Sequence, residues 1–339
     1  MNKKLTKGKL LHSCGDLDEC GYSTYLIKEY SRDQIKASKW RIKEWDYYYI
    51  GDKNYGIALT IDDNGYMGLV SGSVLDFKEK KHFNKANMFW FCFGNVNMPS
   101  TSEKGDIFRS GKGYKGHFIN QNGIRHLMME IENFNGRYFK ADIYLTPTNE
   151  HSMVIATPFK KKKHFYYNQK INNLKAKGHF VFGDLTYEFD EGAYGVLDWG
   201  RGVWTYSNTW YWSSLSGEYN GNIIGFNLGY GFGDTSASSE NMLFVNDKFY
   251  KLDDVTFNIP LNEKGKENYL EKWTFTSVFG DIDLIFEPII DRHDATNAII
   301  ISQDAHQVFG KFSGTFKTSD GVVEIKDMLG FAEKVKNRW

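Results

Sequence analysis

Trp45-Asp46-Tyr47-Tyr48-Tyr49-Ile50, then Gly51-Asp52-Lys53-Asn54, then Gly56-Ile57-Ala58-Leu59-Thr60-Ile61, then Asp62-Asp63-Asn64-Gly65 is the stretch from which the fold is read. Two runs of aromatic and β-branched residues are each closed by a cluster of Gly, Asn and Asp. Such side chains suit a pleated surface, and Asn-Gly closing a run is a strong hairpin signal. The same alternation of run and turn continues outward. Strands are expected at 88–93, 127–133, 138–145, 179–183 and 185–189, then at 203–206, 210–215, 222–229 and 242–245, and finally at 272–278, 282–286, 307–316 and 322–327. Helical periodicity is scarce. With five prolines against 33 glycines, punctuation falls to Gly, Asn and Asp. Short strands with turns at this spacing predict an all-β chain of antiparallel barrels or sandwiches.

A weak internal repeat divides that chain in two. Gly178-His179-Phe180 is followed by Asp198-Trp199-Gly200 and Trp204, and Gly310-Lys311-Phe312 by Asp327-Met328-Leu329-Gly330 and Trp339. Likewise Gly136 through Pro147 parallels Gly280 through Pro288. We therefore expect two related β modules in tandem, residues 1–165 and 166–339, joined within 150–180. The lysine run Lys160 to Lys163, with Lys170, Lys175 and Lys177 after it, reads as a solvated connector there.

Bulk composition removes several function classes. Lys+Arg and Asp+Glu balance at 42 each, so there is no electrostatic case for nucleic acid. No stretch approaches the ~20 apolar residues of a membrane helix, and the basic amino end lacks the apolar run of a signal peptide. Three cysteines, an odd number, suggest reduced thiols and a cytoplasmic location. Gly229-Tyr230-Gly231-Phe232-Gly233 is not a phosphate loop, because no helix pattern follows it. His12, Cys14, Asp16, Asp18 and Cys20 match neither a zinc nor a calcium spacing, so neither metal nor cofactor is expected.

What remains is the window 195–243. Trp199, Trp204, Trp210 and Trp212 fall among Asp198, Arg201, Asn227, Tyr206, Tyr230 and Glu240 rather than among aliphatic residues. Flat side chains beside a few ionisable groups suit a pocket for a bulky apolar ligand. Asp198 against an indole would have a raised pKa and act as an acid; Arg201 could instead pair with it and make it structural. Glu240 is the second candidate acid. Trp210 and Trp212 should share one face of their strand.

Residues 195–204 with Trp210-Tyr211-Trp212, then 227–232 and Glu240-Asn241, resemble the bacterial family called domain of unknown function 2804. Trp40 to Tyr49, Tyr167-Asn168-Gln169-Lys170, and Gly330-Phe331-Ala332-Glu333 followed by Arg338-Trp339 resemble further motifs of that family, in its order. More distantly the layout is similar to two-module lipocalin-like proteins such as carotenoid 1,2-hydratases, tocopherol cyclases and cofactor-free Diels–Alder cyclases. The resemblance implies two lipocalin-like modules with a pocket lined by the Asp198 segment. Hydratases of that group tend to carry a histidine beside the aspartate, where this chain has Leu197 and Trp199. Three functions are therefore expected to compete: binding of a hydrophobic small molecule (isoprenoid, polyketide or lipid), cofactor-free hydration, cyclisation or isomerisation with Asp198 as acid, and carbohydrate recognition.

Overall fold

A computed structural model of the chain describes residues 2–298 and 301–339. Those residues form two curled antiparallel sheets of 13 and 9 strands, with one short two-stranded parallel pair and only 3-10 turns of helix. The tandem lipocalin-like arrangement expected from the sequence is what the chain adopts.

Both sheets are wound by the same rule. In the first, the meander Ile42–Gly51, Tyr55–Asp63, Met67–Asp76, Lys81–Trp90 is followed in sequence by Gly105–Gly111, Tyr114–Gln121, Ile124–Phe134 and Arg137–Pro147. The strands Phe165–Phe182 and Tyr194–Val203 come last, and Tyr194–Val203 returns to pair with Ile42–Gly51. In the second, the meander opens with Ser207–Tyr219, and Gly321–Arg338 returns to pair with it. The repeated motifs occupy equivalent strands: Gly178 and Gly310 lie in Phe165–Phe182 and Ile301–Thr318, and the segments ending in Pro147 and Pro288 lie one strand further out.

Residues 166–203 hydrogen-bond into the first sheet, although the sequence reading put them in the second module. The closing strand of each sheet is its last in sequence, so it lies beyond the exposed lysine turn 160–163 that looked like a linker. The change of sheet falls between Val203 and Ser207. Lys170 is likewise no connector residue; it is buried in the middle of an 18-residue strand.

Strand alternation then decides where the aromatic residues go. Every residue of Tyr194–Val203 is buried, because each face of this strand meets a different core. Leu197, Trp199 and Val203 point into the first module's core. Val196 meets Tyr49, Phe309 and Phe331 between the sheets, and Trp204 joins Tyr166, Phe232 and Met242 in a second cluster there. The second module has its own core around Phe226, Trp273, Phe286 and Phe312.

Gly200 faces the junction, directly across the ladder from Trp45. A Cβ on Gly200 would lie 1.9 Å from the Trp45 ring, so the missing side chain is what lets that indole lie flat on the strand. Gly200→Ala should therefore cost about 1–3 kcal/mol by overpacking, measured by urea unfolding. The same change in a Trp45→Ala background should cost close to nothing.

Candidate functional site

Between the sheets, just past the return strands, lies a cavity of about 260 Å³. Five tryptophans line it, Trp45, Trp204, Trp210, Trp212 and Trp339, together with Tyr47, Tyr166 and Phe232. Trp204 is the hub: its ring centroid lies 5.0 Å from Trp45, 4.8 Å from Phe232, 5.8 Å from Trp210 and 5.7 Å from Trp339. Trp210 and Trp212 share the junction face of their strand, while Tyr211 stacks on Tyr230 beneath the sheet.

The register explains why these residues meet. Across three adjacent strands of the first sheet run Tyr47, Asp198 and Lys170; across the equivalent strands of the second run Trp212, Glu333 and Gln307. Two residues further along, Trp45 opposite Gly200 corresponds to Trp210 opposite Val335. Six residues after Asp198 comes Trp204, and six after Glu333 comes Trp339. Register thus makes Glu333, rather than the motif residue Asp327, the counterpart of Asp198. The contacts are reciprocal as well. Tyr47 donates its hydroxyl to Gln307 at 3.1 Å, and the Lys170 ammonium sits 3.7 Å over the Trp212 ring. The cavity is therefore built from one structural position used twice, with different charges in the two copies.

In the first copy Asp198 is ion-paired. Lys170 Nζ lies 2.8 Å from one carboxylate oxygen, and Asn168 Nδ2 donates to the other at 2.6 Å. In the second copy the flanking residue is the neutral Gln307, which donates to Glu333 at 2.8 Å, while Trp210 Nε1 donates to the other oxygen at 2.7 Å. Burial pushes the Glu333 carboxyl above the usual carboxylate range. Glu240 also lines the cavity and has no ion-pair partner among the described residues. Its carboxyl is likewise raised by burial, and Asn227, which accepts from Trp212 Nε1 at 2.7 Å, donates to the Glu240 backbone carbonyl at 2.8 Å. Gly229 leaves room for this group, since a Cβ there would stand 2.7 Å from the Glu240 carboxyl. Asp62, from the opposite wall, is pushed up to about 7 by burial, against the opposing pull of the Leu69 N–H and Lys43. Arg292 completes the charged lining and donates to Ser73 at 2.7 Å.

Of the residues expected from the sequence, Asp198, Trp204, Trp210, Trp212 and Glu240 come together on this cavity, and Asn227 supports it from behind. Trp199 and Arg201 do not line it, because odd-numbered residues of their strand point into the first module. There Arg201 lies 4.3 Å over the Trp199 ring and pairs with Asp46 at 3.0 Å, so an Asp198–Arg201 ion pair does not form. Tyr230 lies under the sheet with Phe257. Tyr206 is exposed in an aromatic vestibule with Trp40, Tyr66 and Trp90, which reaches the cavity wall at Trp339. Sequence reasoning missed Lys170, Glu333, Asp62, Gln307 and Arg292 as site residues. Lys170 and Glu333 end two of the quoted motifs, and that was the available signal.

The family model described as Domain of unknown function (DUF2804) matches residues 2–339. The chain belongs to this family. Among solved structures, this DUF2804 member is similar to the AttH candidate of Nitrosomonas europaea, with 11% identity and a TM-score of 0.56 over 93% of this chain and 98% of that one. Kievitone hydratase from Nectria haematococca aligns at 12% identity and a TM-score of 0.48 over 88% of each chain. No curated protein matches the sequence. At these identities the likeness to the first of these structures is one of fold. No helix among the described residues is long and apolar enough to cross a membrane.

Two consequences can be measured. Lys170→Met strands a buried carboxylate and should cost about 3–5 kcal/mol, much of it recovered in Lys170→Met/Asp198→Asn. For Asp62, an unfolded aspartate loses its proton near pH 4, whereas the folded one keeps it to about pH 7. Between those values the native chain binds the extra proton, so this group makes stability fall as pH rises. Asp62→Asn should remove that slope, which is at most roughly 1.4 kcal/mol per pH unit, in urea unfolding across the same range.

Proposed function

We propose that the junction cavity binds a compact, ring-containing, largely apolar small molecule and fixes it by a polar group directed at the Lys170–Asp198 pair. The observation that carries this reading is the convergence of five tryptophans on one cavity whose charged groups come from both sheets. Aromatic walls supply most of the contact area, and the few polar atoms supply orientation.

A second reading, cofactor-free acid–base chemistry on that ligand, is favoured by the carboxyls of Asp62, Glu240 and Glu333. All three are shifted upward by burial, as a proton donor working near neutral pH must be. Asp198 is the weaker donor candidate, because Lys170 and Asn168 stabilise its anion. On this reading Asp198 with Lys170 holds the ligand, and Glu333 or Glu240 transfers the proton.

Native mass spectrometry of protein taken from its own host should show a bound organic molecule, and the extracted molecule should quench tryptophan fluorescence on re-addition. Trp212→Ala should weaken its binding about tenfold or more, since a buried aromatic anchor contributes 2 kcal/mol or above. Wild-type affinity in that variant would exclude this cavity. If the molecule is turned over, Glu333→Gln should reduce kcat while leaving binding within a few-fold, and Asp198→Asn should mainly weaken binding.

A further inference from the structure

The hairpin of Ile282–Ala298 and Ile301–Thr318 supplies Arg292 and Gln307 to the cavity from one face. Alternation puts Asp291, His293, Asp304 and His306 on the other. His293 and His306 are direct cross-strand partners, their rings parallel within 6° at 4.0 Å. Asp304 Oδ1 lies 2.8 Å from His293 Nε2 and 3.5 Å from His306 Nε2. From this we propose that His293, His306 and Asp304 bind one divalent transition-metal ion of the zinc class, independently of what the junction cavity does.

Ligand chemistry, spacing and support each argue for it. Two imidazoles and a carboxylate are a donor set that zinc-class ions favour. One ligand atom from each residue lies within 4.8 Å of the others, and neighbouring ligands around a tetrahedral zinc stand about 3.3 Å apart. His306 is oriented for the role. Its Nδ1 is 2.7 Å from the Asp291 carboxylate, which leaves Nε2 facing Asp304, and its ring is clamped against Tyr269 at 3.7 Å. A carboxylate on the far nitrogen is the usual support of a metal-bound histidine. Parallel rings do not aim their lone pairs at one point, so binding requires the more exposed His293 to tilt towards Asp304. Solvent would fill the fourth position.

The test uses untagged full-length protein stripped with a chelator and dialysed. Titration with Co²⁺ should give the visible absorption of a low-coordinate site at one equivalent, and Zn²⁺ should displace it. Competition against a chromophoric chelator should show a loss of affinity of about tenfold or more in Asp291→Asn, and loss of stoichiometric binding in His293→Ala/Asp304→Asn. Both residues of that double variant are exposed, so circular dichroism should match the wild type. The histidine ring resonances of the wild type provide a readout that needs no substitution: Zn²⁺ should move two ring systems, including one that contacts a tyrosine ring. Absence of stoichiometric binding, or binding that persists in the double variant, would overturn the proposal.

Discussion

Lys170 can stay buried because four groups reach it together: the Asp198 carboxylate, the Trp212 ring face and the fields of Glu240 and Glu333. Its ammonium ends where the two sheets meet, over the Trp212 ring. An isolated ammonium in such surroundings would lose its charge rather than remain. The pairing also depends on register, because Asp198 and Lys170 are direct cross-strand neighbours. A slip of Tyr194–Val203 by one residue would turn Asp198 onto the opposite face, away from Lys170, and send Trp199 and Arg201 into the junction. The register of the returning strand is therefore what the junction, and the cavity within it, depends on.

That dependence also shows what was legible in the sequence. Hairpin turns, the all-β class and the pairing of two modules follow from local signals, since a turn sequence such as Asp63-Asn64-Gly65 reports on its own neighbourhood. The repeat could be read because both modules place a glycine and a proline-ended segment on equivalent strands, although not at equivalent positions: Pro288 pairs with Gly310 itself, whereas Pro147 pairs with Leu174. Face assignment was harder. Tyr194–Val203 is buried on both sides, so it shows none of the polar alternation that would separate Asp198 from Trp199 and Arg201. Residues adjacent in sequence were grouped as one site although they belong to two cores. Lys170, Gln307 and Asp62 could not be assigned from local sequence, because their roles arise from long-range pairing with strands up to tens of residues away. The lysine turn at 160–163 drew Lys170 into a connector, because a strand that begins after it is indistinguishable locally from a linker.

The two copies of the junction position illustrate how identical backbone geometry can hold different chemistry. In each, an acid on the returning strand sits between an aromatic residue on one neighbour and a polar residue on the other. With lysine as the polar neighbour, the acid is an ion-paired anchor. With glutamine, it receives hydrogen bonds but no direct ion pair, and burial raises its proton affinity against the weaker pull of Lys170 and Arg292. One difference at one register position, lysine in one module and glutamine in the other, thus decides whether the acid faces a cation or a neutral amide.

The aromatic excess has the same origin. Two half-barrels that each filled their own interior would still leave facing sheets to pack, and flat rings fill an irregular gap between curved sheets with few rotatable bonds. Packing tryptophans in edge contacts around Trp204 leaves space that none of them fills, since rings held by their own strands cannot collapse inward. The return strands bring their trailing tryptophans, Trp204 and Trp339, to the same end of the junction, where Trp339 also lines the vestibule around Trp40 and Tyr66. A cavity in this place is thus a consequence of joining two similarly wound modules through aromatic surfaces, and the buried acids give that cavity its chemical character.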